Sequence, residues 1–177
     1  MMKTPKIFVA ILCIFALTLC ACASGGGYEA ALEKYIDAYF NRDAESIMKL
    51  IHEYYVDDAI EMGEIYDRTD LQELIQRELD WYNDCAVKKG GDDYEYVAEI
   101  HRIKELDLAK GKYDFNTMKV LYGDNAGRIK EGVEVTIYFT LYSDAWDGTV
   151  IHDEILEIVR IGSKWYVTPT TDWDQFR

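Results

Sequence analysis

The acid–base potential of this chain rests on three histidines, His52, His101 and His152, since imidazole is the side chain whose ordinary titration falls nearest neutral pH. None is spaced from another as His-x-x-x-His, so a paired metal site is not expected. His52 borders the apolar face of a predicted helix. His101 and His152 fall on predicted strands, where each faces either a pocket or water. His152 and Asp153 are neighbours in sequence, so on a strand they point to opposite faces and cannot form a dyad. His101 stays open to an acid from another strand. Cys85 has no activating base nearby in sequence and reads as a buried, inert thiol on the apolar side of a helix. No Gly-x-Ser-x-Gly elbow or phosphate-binding glycine loop occurs. Asp124-Asn125-Ala126-Gly127 fails the calcium-loop pattern at Ala126, and the doublets Asp57-Asp58 and Asp92-Asp93 read as solvated charges. No metal and no cofactor are expected.

Charge narrows the partners. The chain carries 33 acidic against 19 basic side chains, a formal net charge of −14. Nothing in that balance neutralises phosphates, which argues against nucleic acid and against lying flat on anionic lipid. Fourteen Tyr, six Phe and four Trp exceed what a small core requires. Such rings suit surfaces that are apolar on one side and wet on the other, or they fill the core and brace a sheet.

The N-terminus reads as an address. Lys3 and Lys6 precede an apolar run from Ile7 to Leu19, and small residues follow, the order of a secretory signal. The stretch from Ile7 to Cys22 is short of the ~20 residues that span a bilayer. Leu19-Cys20-Ala21-Cys22 resembles the bacterial lipobox, which implies cleavage before Cys22 and a diacylglyceryl thioether on it; cleavage after Ala23, with free secretion, is the alternative. Ser24-Gly25-Gly26-Gly27 would be the flexible spacer above the headgroups. The resulting division is 1–21 signal peptide, 22–27 lipidated cysteine and spacer, and 28–177 one domain, exported and anchored to the cell membrane. About 150 residues suit a single core. Losing Lys3 and Lys6 takes the formal charge from −14 to −16. Cys13 and Cys20 leave with the signal and Cys22 takes lipid, so Cys85 remains alone and no internal disulfide is expected.

The elements that must hold any site follow in order. Tyr28, Ala31, Leu32, Tyr35, Ile36, Tyr39 and Phe40 make one apolar stripe on a helix. Asn41-Arg42 breaks it, and Asp43 is placed to cap a second helix carrying Ile47, Leu50, Ile51 and Tyr54. Residues 55–66 read equally as strand or helix. Thr69 with Gln72 forms a capping box for a third helix lined by Leu71, Leu74, Ile75, Leu79, Tyr82 and Cys85, ending before Gly90-Gly91. A strand is expected from Tyr94 to Ile103 and a short helix from Asp114 to Tyr122, stopped by Gly123. Val133, Val135, Ile137, Phe139 and Leu141 alternate as one face of the clearest strand. A turn at Asp147-Gly148, a strand to Ile161, a two-residue loop at Gly162-Ser163 and a return strand to Thr168 complete the pattern. Helices first and antiparallel strands afterwards mean an α+β fold, with N-terminal helices packed on a curved antiparallel sheet.

Ala31-Leu-Glu-Lys-Tyr35-Ile-Asp-Ala-Tyr39-Phe40, the Asn41-Arg42-Asp43 turn, Ile47-Met48-Lys49-Leu50 and Asp57-Asp58-Ala59-Ile60 resemble the opening of the nuclear-transport-factor-2-like superfamily. The ending Ile161-Gly162-Ser163-Lys164-Trp165-Tyr166-Val167 resembles that of small bacterial lipoproteins with this fold. The resemblance implies a cone, a sheet wrapped over helices with a pocket at its open end, and an Asp57-Asp58-Ala59 strand. It also implies a comparison with the superfamily's ketosteroid isomerases, which use an acid base with tyrosine and a protonated acid as oxyanion donors. Tyr35 matches the tyrosine. The base position falls at about Gly63, with Glu61 and Glu64 near but out of register, and no acid on Val133–Leu141 joins the apolar face. Tyr35 also fits the core stripe. Two functions remain on these residues. The first is a non-catalytic module binding an envelope protein or a small apolar ligand, with a sheet-mediated dimer compatible. The second is a pocket isomerase, dehydratase or hydrolase using His101 or Glu61.

Overall fold

The computed structural model of the protein describes residues 27–169 apart from positions 92 and 145. Cys22 and the expected signal peptide, with the tail beyond Pro169, lie outside the described residues. Among the described residues no helix is long and apolar enough to cross a membrane.

Helix α1 (Tyr28–Phe40) forms as its stripe requires, burying Ala31, Leu32, Tyr35, Ile36 and Tyr39 and exposing Glu29, Glu33, Lys34 and Asp37. The chain reverses at Asn41-Arg42, where Arg42 takes a left-handed conformation at φ 54°. Asp43 then caps α2 (Ala44–Met48) by accepting from the Ser46 amide at 3.0 Å.

The second helix is shorter than its sequence suggests. It stops at Met48, and the Leu50 carbonyl leaves the helical pattern to accept from the Val167 amide at 2.8 Å. Tyr54 belongs to a separate helix α3 (Glu53–Glu61), whose N-cap is His52, with Nδ1 accepting from the Tyr54 amide at 3.0 Å. The segment at 55–66 is therefore helix through Glu61, and Asp57-Asp58-Ala59 is not a strand. Tyr55, Val56 and Ala59 bury one helical face, and that face outweighs the alternation that the same residues also show. Helix α4 (Arg68–Gly90) is capped by Asp67, not Thr69. The Asp67 carboxylate accepts from the Thr69 and Asp70 amides at 2.7 and 2.9 Å, satisfying two of the free amides at the helix start. Gly91, at φ 73°, ends it.

The sheet is four-stranded, curved and antiparallel in the order β1 (Tyr94–Glu105), β2 (Ile129–Ser143), β3 (Trp146–Ile161), β4 (Lys164–Pro169). Its α+β class is the expected one. Ser143 pairs with Trp146, so the β2–β3 reversal falls ahead of Asp147-Gly148, which lie inside β3. Ile161 pairs with Lys164 across the Gly162-Ser163 turn, as expected.

Two faces of this sheet are covered by different elements. Val133, Val135, Ile137, Phe139 and Leu141 of β2 are buried, and Phe139 lies opposite His152, Ile137 opposite Glu154, and Val135 opposite Leu156. Helices α1 and α4 pack on this inner face. Helix α5 (Tyr113–Tyr122) and the 3-10 turn Gly123–Arg128 serve the outer face near the other end. There Tyr122 hydrogen-bonds Thr168, a residue opposite Glu157. Leu106 approaches Gly132 so closely that an added Cβ would lie 2.9 Å from its side chain.

Candidate functional site

The inner face is not purely apolar. Tyr35, on α1, donates from its hydroxyl to Oε1 of Glu154 on β3. Both residues are buried, Glu154 at 7% exposure. Tyr39, one turn further along α1, shares hydrogen bonds of 3.3 Å with the Tyr96 hydroxyl on β1 and with Nε2 of His152 on β3. Helical spacing places Tyr35 and Tyr39 on one stripe, and strand spacing places His152 and Glu154 on one face.

Aromatic rings enclose these polar atoms. His152 lies between Tyr82 of α4, stacked at 3.6 Å and 9°, and Phe139, stacked at 4.5 Å and 3°. Tyr39 continues the stack against Phe139 at 3.9 Å. Phe40 closes edge-on against Tyr39 and Tyr96 at 5.6 Å each. The stack reaches the surface at Tyr82 and His152, both half-buried, with half-buried Cys85 one helical turn from Tyr82.

Burial sets the protonation of this cluster. Desolvation raises the Glu154 carboxyl to about 7, against the Tyr35 hydrogen bond that pulls it down. Desolvation lowers His152 to about 3, so its imidazole is neutral at physiological pH. The Tyr35 hydroxyl is pushed well above its ordinary range by burial, then by the fields of Glu154 and Glu78. Burial, then Tyr96, does the same to Tyr39. Two atoms stay unsatisfied: Oε2 of Glu154 and Nδ1 of His152 are buried with no hydrogen-bond partner among the described residues. A buried polar atom left unpaired costs about 1–3 kcal/mol, and such atoms in a native fold call for a ligand, a water or a catalytic use.

Of the residues marked by sequence, Tyr35 belongs to this cluster. Glu61 stands exposed at the end of α3, and Gly63 follows it in an exposed turn. His101 is exposed at the β1 bulge and stacks on Tyr138 at 4.4 Å. Neither Glu61 nor His101 approaches Tyr35. Cys85 is half-buried, not fully enclosed. Glu154 is the site residue that sequence patterning does not mark: it lies two residues from His152 on the face that Leu156 and Ile158 continue into the core. The acid absent from the inner face of β2 comes from β3.

A second buried acid lies three residues on. Glu157 points to the outer face, where it is 5% exposed. Desolvation, then Glu134 and Asp114, raise it to about 7, while Lys104 opposes. Lys104 is bound to Asp114 at 2.9 Å, and Asp114 also accepts from the Asp107 amide at 2.7 Å. Among the described residues no group of three or more His, Cys, Asp or Glu is arranged to hold a metal ion.

Fold and site together define an α+β domain with an aromatic–carboxylate interior. Comparison with protein-family models, with curated proteins and with solved structures finds no match.

Proposed function

We propose that the chain is an exported lipoprotein, anchored through Cys22, whose nuclear-transport-factor-2-like domain binds a small ligand in the Tyr35–Glu154–His152 interior. The observation that carries the ligand reading is the pair of buried, unpartnered atoms, Glu154 Oε2 and His152 Nδ1, inside an aromatic stack that reaches solvent at Tyr82. A domain selected for stability alone gains nothing from them. The apolar stretch before Leu19-Cys20-Ala21-Cys22 and the glycine spacer after it support the tether.

A pocket enzyme is the second reading, favoured by the raised Glu154 carboxyl, since perturbed acids cluster at reactive sites. It ranks lower because the Tyr35 proton is already engaged by Glu154, while Glu61 and His101 lie elsewhere.

Native mass spectrometry of the full chain, expressed in bacteria and extracted gently in detergent, tests the proposal. The expected result is a retained adduct of small-molecule mass that Glu154→Gln or Tyr35→Phe releases and His101→Ala keeps. The N-terminal peptide should begin at Cys22 and carry the diacylglyceryl mass. An adduct-free protein would overturn the ligand reading, and an unmodified Cys22 would overturn the tether.

A further inference from the structure

Resting on that ligand reading, we infer that the occupant of the interior is a small organic cation, an amine or quaternary ammonium, paired with the free Oε2 of Glu154 and surrounded by tyrosine rings.

Charge and ring chemistry both select this class. Glu154 and Glu78 are buried acids, 7% and 8% exposed, on the facing elements β3 and α4. Both raise the Tyr35 and Tyr82 hydroxyls through their fields. Among the ion pairs of the described residues, none gives Glu154 a lysine or arginine. His152, the nearest base, is neutral. The interior is thus rich in acceptors and lacks a fixed positive charge at Glu154. Tyr35 donates to Glu154, and Tyr39, Tyr96 and Tyr82 gather around His152, two residues away on the same strand face. Aromatic faces attract cations, most strongly when desolvated. The net charge of −14 draws cations toward the domain and repels anions. An anionic or purely apolar ligand would leave Oε2 unpaired.

Binding couples to protons. The groups facing Glu154 are Tyr35 and Tyr39 from α1, Glu78, Tyr82 and Cys85 from α4, Tyr96 from β1, and His152 on its own strand, with Asp153 at the rim. The tyrosines keep their protons, being raised by burial, and His152 stays neutral down to about 3. Of Glu154, His152 and these tyrosines, Glu154 is the one that exchanges a proton near neutral pH. A cation selects its ionised form, so binding below about pH 7 expels a proton into buffer.

The test is calorimetry on the full chain in detergent, with choline and its neutral isostere 3,3-dimethylbutan-1-ol as probes. At pH 8 choline should bind at least about tenfold more tightly than the isostere. Glu154→Gln should lose that preference while its circular dichroism stays native. In the unaltered chain, titrations in buffers of different ionisation enthalpy should show about one proton released per choline at pH 6 and none at pH 9, a readout that survives if the variant fails to fold. Equal binding of the two probes, or choline binding without proton release at pH 6, overturns the cation inference. If choline fails to bind while native mass spectrometry retains an adduct, the cation inference falls and the ligand reading stands. If neither is seen, both fall.

Discussion

Glu154 and Glu157 sit three residues apart on one strand, both buried, both raised to about 7, yet their surroundings are opposite in kind. Glu157 lies among charges. Burial, then Glu134 and Asp114, push it up and Lys104 pulls it down, and Lys104 is itself committed to Asp114. Its oxygen is unpartnered, but an ammonium is already part of the group. Glu154 lies among rings, with one phenol as donor and, among the described residues, no ion pair. The outer cluster resembles a structural network that carries its own counter-charge, whereas among the described residues no lysine or arginine pairs with Glu154. Burial is the largest cause at both carboxyls, and like charges add to it at Glu157.

The largest test of that difference removes the ring on which the inner cluster is built. Phe139 is fully buried and stacks on both Tyr39 and His152, so Phe139→Ala should cost about 3–5 kcal/mol in urea unfolding. A loss below about 1 kcal/mol would mean the stack does not organise the inner face.

Stability against pH comes next. Glutamates raised to about 7 from the ordinary 4.5 hold protons in the folded state that the unfolded chain has already released. Stability therefore falls as pH rises from about 4.5 to 7, by roughly 3 kcal/mol for each. His152, lowered to about 3 from 6.5, acts in the opposite sense: its contribution is full above 6.5 and is lost as pH falls toward 3. The sum peaks near pH 4.5 to 5. Glu154→Gln and Glu157→Gln should each flatten the loss between pH 5 and 8, as read by denaturant midpoints. Equal stability of the unaltered chain at both pH values would contradict the raised carboxyls.

Lys104→Met separates the two sites. It removes the Lys104 attraction on Glu157 and the 2.9 Å bond to Asp114, and should destabilise by about 1 kcal/mol at pH 8, less in high salt. Choline binding should not change. Smallest of all is His101→Ala, on the exposed bulge, expected within about 0.5 kcal/mol and without effect on any adduct. A large effect there would move attention to the outer face.

The scaffold was more legible than the site. The stripe from Tyr28 to Phe40, the alternation of Val133 to Leu141 and the turn at Gly162-Ser163 each carry one period or one turn chemistry, and each forms as read. Tyr55-Val56-Asp57-Asp58-Ala59-Ile60 carries both periods, and burial of Tyr55, Val56 and Ala59 decides for helix only in the tertiary context. Asp67 and Thr69 both suit a cap, and the carboxylate prevails by reaching two amides. Tyr35 was visible because it lies on an unbroken stripe. Glu154 was not, because Ile151-His152-Asp153-Glu154-Ile155 interrupts the apolar alternation, and the register shifts between Phe139 and Thr140 opposite it. Pairing between strands, which sequence patterning does not supply, puts Glu154 under Tyr35.

Carbon-13 titration of the side-chain carboxyls, with Glu154 and Glu157 assigned by their Gln variants, tests the contrast most directly. In the free chain both carboxyls should titrate near 7. With saturating choline, Glu154 should move down toward the ordinary glutamate range while Glu157 stays in place. A Glu154 that titrates normally without the probe, or two carboxyls that ignore choline alike, would contradict a cation site at Glu154.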